Sequence, residues 1–165
     1  MAARSARWLW LTFAVVAADR ASKYSVEQLT SQGYRRTLIP HFADLVHSVN
    51  AGIAFGLFSE SDFKWVSFLL VTASTVIILL LIWLLAAGLA GQTASQAGIA
   101  LIAGGAAGNL LDRLLYGGVT DFLELYAGNF RWPAFNVADA AITIGAVLII
   151  LDLLSGEKDA RRAHT

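Results

Sequence analysis

The chain has 165 residues, enough for one domain, of which 57% are hydrophobic and only 15% charged. That balance is too apolar for an ordinary soluble domain and belongs to the membrane class. Twelve Lys and Arg balance twelve Asp and Glu, so no basic surface argues for nucleic acid, and the lack of cysteine excludes disulfides, thiolate nucleophiles and Cys-ligated metal.

The first element begins behind Arg4 and Arg7, with an apolar run from Trp8 to Ala18. Its length and the following "VVAAD" resemble a cleavable signal peptide. Asp19, Arg20 and Lys23 follow at once, however, and helical patterning continues to Leu29. Residues 8–29 are therefore read as a retained first span, with cleavage as the alternative. Residues 30–64 mix β-branched residues with Pro40, Asn50 and Gly52, which predicts a small strand-containing unit lying on the membrane surface. Within it "AGIAFGLF" is apolar enough to sit in the interface, and Phe55, Leu57 and Phe58 are expected to cover the site and limit water.

Crossing roughly 30 Å of hydrocarbon takes about 20 apolar residues. The uncharged run 65–87 meets this plainly. After the Gly88 to Thr93 connector, 94–115 is a third span rich in small residues, and Gly104 and Gly108 form a GxxxG pattern that predicts close helix packing. Gly117 and Gly118 predict a turn into the loop 116–134, and 135–154 is the fourth span. The expected fold is an all-α integral membrane protein, a four-transmembrane-helix bundle forming a single domain over 1–165, with a small β-containing extracytoplasmic unit after the first helix. An even number of spans puts both termini on one side. Arg4, Arg7, Lys158, Arg161 and Arg162 in the tails are nearly balanced by Arg35, Arg36, Lys64 and Arg131 in the loops. The tail charges lie close to the spans, which favours cytoplasmic termini. Trp8, Trp10, Trp65, Trp83 and Trp132 fall at predicted helix ends, where an amphipathic ring suits the headgroup region.

Ionisable side chains within spans are rare and costly, and mark candidate sites. Here they gather. Asp19 and Lys23 lie one turn apart near the end of the first span, Asn109, Asp112 and Arg113 end the third, Asp121 follows in the loop, and Asn136 and Asp139 open the fourth. In an up-down bundle all of these meet at the outer boundary. Asp121 and Asp139 then face each other as a carboxylate pair that shares a proton, one member taking a proton from water while the other donates to a carbonyl. The two apparent pKa values of such a pair belong to the pair. Each residue also has a plainer reading. Asp19 and Lys23 read as a neutralising structural ion pair. Asp112 and Arg113 suit either a helix end, with Arg113 snorkelling to headgroups, or a site. Asn136 suits an N-cap with Asp139 at N3, which explains Asp139 without any activity. His41, His47 and His164 lack ligand spacing, so neither metal nor cofactor is expected. No Ser or Thr sits in a GxSxG setting, and adjacent Ser22 and Lys23 point different ways on a helix, which speaks against a Ser-Lys dyad.

The ordered set "DRASK", "NAGIAF", "GGAAGNLLDR", "VTDF" and "FNVAD" resembles the lipoprotein signal peptidases, also called signal peptidase II. The resemblance covers about residues 8 to 155. It implies an aspartic endopeptidase of the bacterial inner membrane that removes signal peptides from prolipoproteins just before a cysteine carrying a diacylglyceryl group. It places the catalytic pair on Asp121 and Asp139, puts Asn109, Asp112, Arg113 and Asn136 around the site, and sets Asn50 on the outer surface unit. It implies diacylglyceryl prolipoproteins and membrane lipids as partners and inhibition by the cyclic peptide globomycin; a monomer is expected. Arg20 departs from the family pattern, in which many members have an uncharged polar residue there, and is expected to alter headgroup contacts without affecting the chemistry. Two other classes compete. A small transporter or proton-coupled channel also uses intramembrane Asp, but relay carboxylates spread across membrane depth and inverted repeats are common in transporters. A non-catalytic assembly or lipid-binding protein would use the same charges only to fix packing, and would tolerate Asp→Asn.

Overall fold

The computed structural model describes residues 7–51 and 60–162. In chain order the elements are α1 (Leu9–Leu29), β1 (Arg35–Ile39), β2 (Ala43–Asn50), α2 (Glu60–Ala86), α3 (Thr93–Tyr116), β3 (Val119–Ala127), β4 (Phe130–Arg131) and α4 (Val137–Arg162). The fold is mostly helical, with one small antiparallel sheet.

Among the described residues, three helices are long and apolar enough to cross a membrane: Trp65–Ala86, Thr93–Tyr116 and Val137–Ser155. They differ in how they do it. Trp65–Ala86 has a mean hydropathy of 2.8 with only 11% of it buried, whereas Thr93–Tyr116 has 1.2 with 50% buried. The less apolar helix is thus the centre of the bundle, and the most apolar one turns its surface outward. α1 has 21 residues, a span's length, but carries Asp19, Arg20, Lys23 and Glu27, which keep it from meeting the same apolarity.

Small residues let α3 take its central place. A Cβ added at Gly98 would lie 2.6 Å from the Gly145 carbonyl oxygen of α4, and one at Gly104 would lie 2.8 Å from the Thr12 carbonyl oxygen of α1. At Gly108 it would lie 2.5 Å from Asp19 Oδ2. The GxxxG pair therefore faces α1, as close packing requires. At the end away from the sheet, Leu85, Ala90, Ile99 and Ala100 form an apolar core against Trp8, Leu9, Leu81 and Ile149. Gly117 ends α3 in the left-handed region (φ 75°), its N–H bonded to the Arg113 carbonyl.

The sheet runs β1-β2-β3-β4, all antiparallel. A strand unit after the first helix was expected. The second outer segment was expected to be a loop, yet β3 and β4 come from it. Alternating apolar residues in "VTDFLELY" pair with β2, and a connection that read as a turning loop is half of the sheet. Arg35 bridges Asp44 (2.6 Å) and Glu124 (2.5 Å) across the strands, and Arg131 meets Glu124 from β4 (2.5 Å). The hydrogen bond from Arg35 holds the Glu124 carboxyl below its ordinary range. Trp10, Trp65 and Trp83 are largely exposed near helix ends, while Trp132 stands after β4 rather than on a helix.

Candidate active site

The site lies where β3, the end of α3 and the start of α4 meet. Asp121 enters from β3, opposite Ser48 of β2 in the register, and is buried. Phe135 pairs with Leu123 of β3, which lays the residue before α4 alongside the strand that carries Asp121.

Asn136 then joins the two carboxylates. Its Nδ2 donates to Asp121 Oδ1 (2.7 Å), and its Oδ1 accepts from the Asp139 N–H (3.0 Å). Its own N–H donates to Asp139 Oδ2 (3.3 Å), so the cap of α4 is reciprocal between Asn136 and Asp139. The plainer capping reading is therefore real. It uses only one oxygen of Asp139. The other, Oδ1, accepts from Asn109 Nδ2 on α3 (2.8 Å). Asn50 Nδ2 lies 3.3 Å from Asp121 Oδ2.

Asn109 is held in that orientation by charge. Lys23 Nζ, fully buried, donates to Asn109 Oδ1 (3.0 Å), so the amide must turn its NH2 toward Asp139. The same ammonium meets Asp19 Oδ2 and Asp112 Oδ2, each at 2.7 Å. Asp19 Oδ1 accepts from the Ala138 N–H (2.9 Å), so a carboxylate on α1 caps α4 across the bundle. Asp19 and Lys23, expected as a neutralising ion pair, lie in the middle of a network that reaches both α3 and α4.

Arg20, expected to alter headgroup contacts, turns toward the bundle. Its guanidinium donates to Asp112 Oδ1 (2.7 Å), meets Glu27 and stacks over Tyr116 at 5.0 Å. The reason is electrostatic: Lys23 alone faces two buried carboxylates, and Arg20 supplies a second cation. Glu27 and Thr120 escaped notice in the sequence, and Thr120 Oγ1 donates to Glu27 Oε1 (2.8 Å) beside Asp121. A signal was present. Arg20, Lys23 and Glu27 recur at helical spacing on one face of α1. Arg113 reaches only the Asn109 carbonyl (3.3 Å), so it braces the turn that carries Asn109 rather than touching either carboxylate. Residues 52–59, with Phe55, Leu57 and Phe58, lie outside the described residues, so the expected cover does too.

Counting this network, two cations, Arg20 and Lys23, face three anions, Asp19, Glu27 and Asp112, before Asp121 and Asp139 are added. The cluster cannot cheaply hold two more full negative charges. Burial, and next the charge of Asp139, push the Asp121 carboxyl up to about 6. The arrangement is a pair of carboxylates with donors on both, able to hold one proton between them and to exchange it with a water or an amide.

Residues 11–155 match the family described as Signal peptidase (SPase) II. A protein of Solibacter usitatus named lipoprotein signal peptidase is 40% identical over 146 residues, covering 88% of this chain and 89% of that protein. One of the same name from Aeromonas hydrophila is 42% identical over 152 residues, covering 92% and 90%. A bacterial membrane enzyme solved by the in meso method at 2.3 Å superposes with a TM-score of 0.79 at 29% identity, covering 93% of this chain and 90% of that one. Another, at 1.9 Å, gives 0.77 at 30% identity, covering 90% and 92%.

Proposed function

The chain belongs to the signal peptidase II family, and from that premise we propose that Asp121 and Asp139 are the aspartic dyad with which it hydrolyses its substrate. It is a membrane peptidase that cleaves signal peptides from prolipoproteins. The observation that carries the dyad is the double role of Asn136, whose side-chain amide is bonded to Asp121 and to the Asp139 backbone N–H while its own backbone N–H donates to the Asp139 carboxylate. A cap alone needs no link to a second buried carboxylate.

The chemistry follows from one shared proton. Asp121, raised by burial and by its neighbour, holds it. Asp139 takes a proton from a water whose oxygen attacks the scissile carbonyl carbon, while Asp121 passes its proton to the carbonyl oxygen. In the resulting diol, Asp139 returns a proton to the amide nitrogen and Asp121 recovers one from a hydroxyl as the C–N bond breaks. The pair ends as it began. Asn109, turned by Lys23, and Asn136 keep both carboxylates in place throughout. Asn50, Asp112 and Arg113 support the site from the strand and from α3.

The bond cut is the one before a diacylglyceryl-bearing cysteine of the prolipoprotein. The chain works as a single membrane-embedded domain over 1–165 and as a monomer. α1 is a fourth span whose Asp19 and Lys23 neutralise each other within the bundle. Both termini then lie in the cytoplasm, and the dyad lies near the outer boundary of the bacterial inner membrane, where globomycin binds. The test is cleavage of a lipid-modified prolipoprotein by purified protein in lipid, comparing wild type with Asp121→Asn and Asp139→Asn. Both variants are expected to melt as folded proteins and to cut nothing. Near wild-type cleavage by either one would remove that residue from the dyad.

A further inference from the structure

A cavity of about 300 Å³ opens beside Asp139. Leu125 and Trp132 of the hairpin region, Phe135, and Ala140, Thr143 and Ile144 of α4 line it. Its size falls at the lower end of small-molecule sites. Apart from Asp139, its polar groups are the Trp132 indole N–H and the Thr143 hydroxyl, which already donates to the Asp139 carbonyl (2.9 Å). The walls therefore offer no cation for a headgroup phosphate, and their mostly apolar surface suits hydrocarbon.

We propose that this cavity holds an acyl chain of the substrate's lipid during cleavage. The inference rests on the reading of Asp139 as a reacting carboxylate, because an occupant touching Asp139 must be attached within reach of the scissile bond. Two features favour an acyl chain over a peptide side chain. The cavity is not closed: Trp132 and Ile144 are 57% and 55% exposed. Below it, Ile144, Val147 and Leu151 follow one another at helical spacing, all exposed on the same stripe of α4. A short side chain would need a floor, whereas a long chain can leave the cavity and continue down that stripe. Such a chain arrives from a medium as apolar as the cavity, so burial itself supplies little affinity. What the cavity supplies is register: it holds the lipidated carbon at a set distance from Asp139.

Two measurements test this together. The first compares lipopeptides that differ only in carrying long-chain or acetyl esters on the glyceryl group. Ile144→Trp, which fills the cavity from an exposed position, is expected to lower kcat/KM for the long-chain substrate about ten-fold and to leave the acetyl substrate within about two-fold. Equal loss on both substrates would make the cavity a peptide site, and no loss on either would mean that it stays empty in turnover. The second places a photoreactive diazirine midway along the acyl chain and locates the adducts by mass spectrometry. Adducts are expected on Trp132, Thr143 or Ile144, in excess over those from a phospholipid bearing the same label. Equal labelling by the phospholipid, or adducts on α2 alone, would overturn the proposal. Labelling reports occupancy whether or not Asp139 does chemistry, so a failed dyad and an unoccupied cavity give different results.

Discussion

The two ends of the bundle are built from the same helices and differ in what they bury. At the end away from the sheet, Leu85, Ala90, Ile99 and Ala100 pack with large apolar neighbours, and a few polar contacts join the helices beside them. Trp8 Nε1 donates to Gln96 Oε1 (2.9 Å), Gln96 Nε2 donates to the Gly91 carbonyl (2.8 Å), and Ser95 donates to Asp152. At the sheet end, Asp19, Lys23, Asp112 and Asp121 are each almost wholly buried. Replacing a buried ion network by apolar packing is often neutral or stabilising. Stability by itself therefore does not call for the sheet end, which is where the proposed dyad sits.

That contrast can be broken in several ways. The largest effect is expected from Asp139→Asn. If the sheet end exists for catalysis, prolipoprotein cleavage should fall by about a thousand-fold or more while the melt stays near wild type, since Asn also suits the first turn of a helix. A loss of folding with the loss of rate would make Asp139 a packing residue like those at the other end.

Next comes Lys23→Met, which removes the ammonium from among Asp19, Asp112 and Asn109. Leaving two buried carboxylates short of a cation should cost about 3–5 kcal/mol, read as a lowered melting temperature in detergent. An unchanged melt would mean that Arg20 alone neutralises the cluster.

Asp121→Asn sharpens the comparison through pH. The carboxyl is raised from 3.8 to about 6, so the folded chain binds this proton more tightly than the unfolded chain. The stability linked to it is complete below 3.8 and is lost as pH rises through about 6. Asn has no such proton to lose. The variant should therefore gain on wild type between these values and stay ahead above them, by about 3 kcal/mol at most. Melting curves at acid and neutral pH that run parallel for the two proteins would show that the site puts no strain on this carboxyl.

A smaller change is expected from Asn109→Ala, which takes one donor from Asp139. Cleavage should drop by roughly 10–100-fold, mainly in kcat, because the loss is of positioning and not of the reacting group. The smallest belongs to the opposite end. Gln96→Ala removes the partner of Trp8, should cost about 1 kcal/mol, and should leave kcat/KM unchanged. A rate effect there would mean that the two ends are coupled through α3.

Much was open to reading in the residues themselves. Trp65–Ala86 announces a span by composition, Gly104 and Gly108 announce a close approach, and the charged and amide residues of α1, α3 and α4 gather at one level in any up-down bundle. These are properties of hydrophobic length and helical period, and both are local. The tertiary structure alone decided the rest. "VTDFLELY" became a strand because β2 lay open beside it, and strand pairing depends on a partner distant in sequence. Arg20 turned inward because Asp112, on another helix, carries a charge that Lys23 shares with Asp19. Asn109 presents its NH2 to Asp139 because Lys23 and the Asn136 amide claim its oxygen. A hydrogen bond across elements depends on helix rotation and strand register to within a few tenths of an ångström, and those are set by how the whole bundle packs.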